Sequence, residues 1–231
     1  MTSCRQGWKI HAYALSLMRL AEILLAWAGY FALHSLLAAS CTKAWVGRRW
    51  PRLMPGYRMG FNAAATVTLV PVLWLVHDTQ SAWLWQWLGI WAWVANGVAL
   101  MAILCLFASA RAYDMDEFLG LRQLREGGND VPQTFTVSPL HRFVRHPWYS
   151  IALVLVWSRD MNEAQLVSAL AITAYLFVGS WLEERKLIAS YGQKYRSYMA
   201  QVPGLIPLPW KYMSALDAAT LVNSSGPELS K

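Results

Sequence analysis

The sequence predicts an all-α, polytopic helical membrane protein of about five transmembrane helices, and three observations predict it. Hydrophobic residues make up 56% of the 231 and charged residues 14%. With a mean hydropathy of +0.29, that is too apolar for a soluble domain of this size. The apolar residues gather into runs long enough to cross a hydrocarbon core of roughly 30 Å as helix. The 14 tryptophans suit a bilayer, since indoles collect at its interfaces. A single membrane-embedded domain over residues 1–231 is expected.

Residues up to Ser16 carry Arg5 and Lys9 and read as a polar lead-in to a first span over 17–39. Arg19 and Glu22 lie three apart near its start, so they share a helix face and pair there. His34 sits inside the span. It either lines a cavity or bonds to a neighbouring backbone, the commoner fate of a core histidine, and it is kept as a weak pocket candidate. Ala39-Ser40-Cys41 has the look of a cleavage site. The run before it is longer than a secretory signal core and holds Arg19, Glu22 and His34, so a retained helix is expected.

The loop from Cys41 to Met59 holds Lys43, Arg48, Arg49, Arg52 and Arg58 and no acid. A second span over 60–76 tolerates a kink at Pro71, and His77 to Gln80 form a polar turn. The apolar run from Ala82 to Ala110 exceeds one perpendicular span. Trp83, Trp85 and Trp87 serve as an interfacial anchor, and 88–110 is the third span. The polar loop from Arg111 to Ser138 is broken by Gly127, Gly128, Asn129, Asp130 and Pro132. Before that break, Tyr113, Phe118, Leu119 and Leu124 suggest a short amphipathic interfacial helix.

A fourth span over 143–157 requires the helix to begin near Phe143 and to carry Pro147 in its first turns. The fifth, over 163–182, pairs with it as a helical hairpin across the turn Ser158 to Asn162. An amphipathic, Tyr-rich helix follows to about Gln201. Pro203, Pro207 and Pro209 end it, and 214–231 read as a loose tail.

Lysine and arginine concentrate in the first loop, in the third loop and after the fifth span, where Arg185, Lys186, Lys194, Arg196 and Lys211 lie. The opposite face has Arg5, Lys9 and Arg159. This positive-inside bias puts the basic loops and the C-terminus in the cytoplasm. The net charge of +7 is therefore topological, with attraction to anionic membrane lipid secondary. No aromatic RNA-binding pattern accompanies it, so nucleic acid is not an expected partner. Cys4, Cys41 and Cys105 form neither a metal spacing nor an even disulfide framework, and no metal is expected.

Between Ser138 and Pro207, the polar clusters around Arg145-His146, Glu183-Glu184 and Tyr191 to Tyr198 punctuate two apolar runs. Charges beside such runs are costly unless paired or wetted, so they mark a function or an interface. RHPWY at Arg145 to Tyr149, the acids Glu183 and Glu184, YGQKYRSY at Tyr191 to Tyr198 and VPGLIP at Val202 to Pro207 together resemble the isoprenylcysteine carboxyl methyltransferase-like integral-membrane methyltransferases. Relatives of that family include phospholipid methyltransferases, bacterial methanethiol S-methyltransferases and the NnrU group. FALHSLLAAS at Phe31 to Ser40 resembles the first membrane helix of the bacterial members.

The resemblance implies S-adenosylmethionine as cofactor, bound within 138–207 by Arg145, His146, Pro147, Tyr149, Glu183 and Glu184. Such a cofactor needs acceptors for its cationic groups, donors for its carboxylate and an apolar or aromatic shelf. Glu183 and Glu184 lie about 100° apart on a helix, so both are not expected to face one cavity. The resemblance assigns the contact to Glu183 and leaves Glu184 to basic neighbours. Tyr195 and Tyr198 are weak pocket candidates, because tyrosines also anchor helices at lipid surfaces. No residue is singled out as acid or base.

Isoprenylcysteine enzymes place an arginine four residues before the cofactor glutamate, where this chain has Gly179, and a glycine before the RHP motif, where it has Pro139. These departures argue against prenylcysteine and favour a small thiol or another lipophilic acceptor. Two rivals remain at this point: an NADPH-dependent reductase resembling sterol reductases, and a non-catalytic NnrU-like membrane protein. The expected setting is a bacterial inner membrane with the cofactor site facing the cytoplasm.

Overall fold

The structure, a computed structural model, describes residues 2–110, 115–127 and 135–223. Its helices are α1 (Thr2–Ala38), α2 (Ser40–Arg49), α3 (Tyr57–Asp78), α4 (Ile90–Ala110), α5 (Met115–Leu119), α6 (Leu121–Glu126), α7 (Pro147–Trp157), α8 (Glu163–Gln201) and α9 (Ala215–Asn223). Short 3-10 turns precede α3 and α7, at Pro51–Gly56 and Leu140–Arg142. Two small strands, β1 (Trp83–Trp85) and β2 (Met161–Asn162), pair antiparallel.

Among the described residues, four segments are long and apolar enough to cross a bilayer: Leu15–Ala38, Pro51–Asp78, Ile90–Ala110 and the helix Glu163–Gln201. α7 is apolar but shorter. The chain is a polytopic helical membrane protein. Leu25, Val67, Trp74, Trp93 and Phe107 stand exposed along α1, α3 and α4. Helices suit that environment because their backbone polar groups are satisfied within the segment.

The chain divides into two compact units. The first contains α1, α2, α3, β1, α5, α6, β2 and the start of α8 through Ile172. Its core is Ile23, Trp27, Val72 and Ala164. The predicted Arg19–Glu22 pair is made at 3.0 Å. The turn after α3 and the turn before α8 are joined: Trp83 pairs with Asn162, Trp85 with Met161, and the Trp87 amide donates to Asp160. Elsewhere in this unit the Asn62 amide donates to the Phe118 carbonyl at 3.0 Å, and Arg58 reaches Glu117 at 3.6 Å.

The second unit contains α4 from Trp93, α7, α8 from Thr173, and α9. Tyr195, Tyr198, Val202, Met213 and Ala218 form its buried cluster.

Local physics departs from the sequence reading in four places. The lead-in before Ser16 continues as the helix α1. α7 begins at Pro147 instead of near Phe143, because proline suits a first helical position, and His146 before it is non-helical at φ −124, ψ 70. α8 joins the expected fifth span and the helix after it into one element of 39 residues with a kink at Gly192, and about 20 of those residues suffice to cross the hydrocarbon. Its apolar part closes at Leu182, and Glu183 and Glu184 lie beyond that end.

The fourth departure is α9, which replaces the first part of the expected loose tail. Ser214 and Asp217 cap it, the Asp217 amide donating to the Ser214 hydroxyl at 3.0 Å. Ala218 and Leu221 then pack on the buried cluster. The breaker residues Gly128 to Asp130 and Pro132, together with Tyr113, Arg111 and the tail beyond Asn223, lie outside the described residues. Cys41 and Cys105 are free thiols.

Candidate active site

The residues singled out between 138 and 207 meet in the second unit at the start of α7. Pro147 fixes the first helical position and is buried. His146, the residue before it, makes no side-chain cap bond, which leaves its ring for other partners. Those partners are both acids of α8. His146 Nε2 lies 3.1 Å from Glu184 Oε1, and Nδ1 lies 3.4 Å from Glu183 Oε2. The expectation that only one carboxylate would face a common site needs amending. A single imidazole with a nitrogen on each edge reaches two neighbours that a helix splays apart.

The two acids differ in what else they touch. Glu184 accepts from Arg145 Nε at 2.8 Å and from Nη2 at 2.7 Å, and its side chain is 13% exposed. Glu183 is 48% exposed, and the Tyr149 hydroxyl interacts with its carboxylate. The Tyr149 ring stacks on His146, with centroids 5.5 Å apart and planes 11° from parallel. An open carboxylate thus borders a pair of stacked rings, while a closed one is bound to a guanidinium.

Arg145 is occupied on every side. Besides Glu184, its Nη1 donates to the Met199 and Val202 carbonyls. Its amide donates to Pro203 and Gly204, and that of His146 donates to Gly204. Ser150 Oγ reaches the Leu205 carbonyl, Arg142 Nε donates to the Met213 carbonyl, and the Met213 amide returns a bond to Arg142. The segment after α8 is thereby fastened along the start of α7. Gly204 permits the closest approach: a Cβ there would sit 3.4 Å from Arg145 Nη2 and 3.8 Å from Glu184 Oε1.

Charge follows this geometry. Burial would raise both carboxyls, but hydrogen bonds from His146, joined by Tyr149 at Glu183 and Arg145 at Glu184, hold them below the usual range. Burial would lower His146, yet the hydrogen bonds and charges of the two carboxylates prevail and raise it. His141, in the 3-10 turn, goes the other way. Burial first, and then the His146 charge, push it down to about 4.

The remaining candidates fall elsewhere. Tyr195 and Tyr198 are 2% and 3% exposed, so they are core residues instead of lipid anchors. The Tyr198 hydroxyl donates to the His141 carbonyl, and Tyr195 meets Arg145. His34 belongs to the first unit, its ring beside Tyr30 and Phe61 at 5.9 and 5.0 Å. Among the described residues no three metal-ligating side chains come together.

Comparison with known proteins gives this site its context. Methanethiol S-methyltransferase 2 of Bradyrhizobium diazoefficiens is 33% identical over 180 residues, covering 75% of this chain and 68% of that protein. The chain belongs to the methanethiol S-methyltransferase family. The methanethiol S-methyltransferase of Crocosphaera subtropica is 33% identical over 195 residues, 78% of this chain and 71% of its own length. That of Mycobacterium tuberculosis is 29% identical over 222 residues, 87% and 84%. No protein-family model matches the chain, and no solved structure is similar to it. The chain is a membrane methyltransferase, which sets aside the reductase and non-catalytic alternatives.

Sequence reasoning missed four participants in this cluster. His141 carries no motif, and only the fold brings its charge near His146 and Glu183. Gly204 and the carbonyls of Met199 and Val202 lie in or beside VPGLIP. That segment carried the family resemblance, but as backbone it offered no side chain from which to read a role.

Proposed function

We propose that this methyltransferase transfers the methyl group of S-adenosylmethionine to a small thiol, at the cytoplasmic end of its last two membrane helices. The observation that carries the reading is the Glu183 carboxylate, held ionised, open to solvent and bordered by the stacked rings of His146 and Tyr149. The donor set fits the group. A carboxylate accepts from a cation, and aromatic faces attract one within about 6 Å.

When bound, S-adenosylmethionine supplies a methyl group on a positively charged sulfur. Glu183 holds the cationic part of the ligand, and Tyr149 and His146 flank it and exclude water. Glu184 and Arg145 do not touch the ligand in this reading. They keep the His146 ring in place and hold the segment after α8 as a wall. Pro147 fixes the backbone from which His146 projects. Methyl transfer is an in-line displacement, for which orientation and exclusion of water are the main contributions of an enzyme.

Methanethiol in the relatives' names, together with Gly179 where isoprenylcysteine enzymes carry arginine, favours a small thiol over an acceptor with a carboxylate. The pairing of Lys- and Arg-poor turns by β1 and β2, and the basic loops elsewhere, support a bacterial inner membrane with this site facing the cytoplasm.

Thermal unfolding of the purified protein in detergent, titrated with S-adenosylhomocysteine and separately with NADPH, tests the proposal. A ligand at a hundred times its Kd stabilises the folded state by about 2.7 kcal/mol. S-adenosylhomocysteine is expected to raise the Tm, and Glu183→Gln to abolish the rise. A response to NADPH alone would overturn the reading.

A further inference from the structure

His146 engages two carboxylates at once and uses both ring nitrogens to do so, Nε2 at 3.1 Å from Glu184 and Nδ1 at 3.4 Å from Glu183. An ionised carboxylate only accepts, so the form of the ring that satisfies both is the protonated one. The ring itself is buried, its side chain 5% exposed, whereas Glu183 opens outward. The charged and titratable groups around it are Glu183 and Glu184 on α8, Arg145 beside it, His141 on the 3-10 turn and Tyr149 stacked on it from α7, with Tyr195 farther along α8 against Arg145. Arg145 is committed to Glu184, which leaves Glu183 as the carboxylate an incoming cation would share with the imidazolium.

We infer that His146 is the proton acceptor of the reaction, carrying a proton in the free enzyme and losing it when a cationic methyl donor binds beside Glu183. This rests on the S-adenosylmethionine reading above. Two cations compete for one open carboxylate, and only the imidazolium can shed its charge. The proton leaves from Nδ1 on the side of Glu183. Nε2–H stays on Glu184, which fixes the tautomer, and the Nδ1 lone pair is freed.

A thiol acceptor must then lose its S–H proton, and Nδ1 takes it. The sulfur electron pair forms the new bond to the methyl carbon, and the old carbon–sulfonium bond breaks with its pair returning to the donor sulfur. Two neutral thioethers and an imidazolium between two carboxylates result. That is the protonation state from which the cycle began. His141 cannot serve in this way, because burial leaves it too weak a base to hold a proton near neutrality.

Calorimetric titration of the intact protein with S-adenosylmethionine, in two buffers of different ionisation enthalpy near neutral pH, measures protons released on binding. Release approaching one proton per donor is expected, with less for S-adenosylhomocysteine, which lacks the sulfonium charge. Donor affinity should tighten by up to about tenfold per pH unit until His146 is neutral, then level off. His146→Gln should bind without buffer-dependent heat and lose about a hundredfold or more in turnover. That turnover should recover as the pH rises to where the thiol ionises unaided.

Donor binding without proton release, or release that persists unchanged in His146→Gln, would overturn the inference and leave the cofactor reading intact. No donor binding by folded protein would overturn the cofactor reading itself. Should His146→Gln not fold, Glu184→Gln carries the test. Fewer protons released with binding retained supports the inference, and unchanged release overturns it.

Discussion

Glu183 and Glu184 share a peptide bond and little else. Glu184 is one half of a largely buried ion pair with Arg145, and breaking such a pair by removing one partner costs about 3–5 kcal/mol, because the other charge is stranded. Glu184→Ala should therefore lower the unfolding temperature sharply, while Glu183→Gln, at a half-exposed position, should leave it nearly unchanged and remove ligand binding. A melt of each variant with and without S-adenosylhomocysteine separates the two roles. Gly204→Val should act like a mild Glu184 variant, since the added carbon atoms meet the guanidinium at contact distance.

His141 gives a pH signature of the opposite kind from His146. Its pKa falls from 6.5 to about 4 on folding, so between those values the unfolded chain takes up a proton that the folded one refuses. Its contribution is whole above 6.5 and is lost as the pH falls toward 4. His146, raised on folding, contributes below 6.5 and loses that contribution as the pH rises through its folded value. His141→Gln should accordingly flatten the decline of apparent Tm on acidification, read as the difference from wild type across that window.

Among the elements, α8 shows how much was legible beforehand and how much was not. Its apolar first half was readable from composition, because a run of that length with no charge inside it has few other fates. The helix from Glu183 to about Gln201 was legible too, from its amphipathic, Tyr-rich pattern; the break within it at Gly192 was not. The structure keeps the helix going and uses the glycine as a kink at φ 56, ψ −129. A side chain in that conformation is strained by roughly 1–3 kcal/mol. Gly192→Ala should destabilise the protein by that order in a denaturation curve. It should also disturb Tyr195 and Tyr198, which lie just beyond the kink.

α9 escaped notice for a related reason. Its sequence is short, nine residues, and only the buried cluster formed by Tyr195, Tyr198, Val202 and Met213 gives Ala218 and Leu221 something to pack against. The motif residues of the site were legible from their types. Their partners were backbone carbonyls, and sequence does not announce which carbonyl an arginine will find.

At the scale of the whole chain, the pairing of β1 with β2 ties the turn after α3 to the turn before α8, so those two turns share a face of the membrane. The contacts of Arg58 with Glu117 and Asn62 with Phe118 likewise tie the start of α3 to α5. Single-cysteine variants in a background lacking Cys4, Cys41 and Cys105 check the orientation. Arg48→Cys should be protected from an impermeant thiol reagent added outside the cell, and Arg159→Cys should be labelled by it.

The fastening of Arg145 by carbonyls from Met199 to Gly204 carries a consequence for biogenesis. Those carbonyls follow the apolar runs in chain order, so translation supplies them after the spans. A chain ending just short of Val202 would keep every one of the long apolar segments named above and yet lack the carbonyls of Val202, Pro203 and Gly204 that hold Arg145. Insertion and competence would then be separable, the second waiting on the segment that begins at Val202.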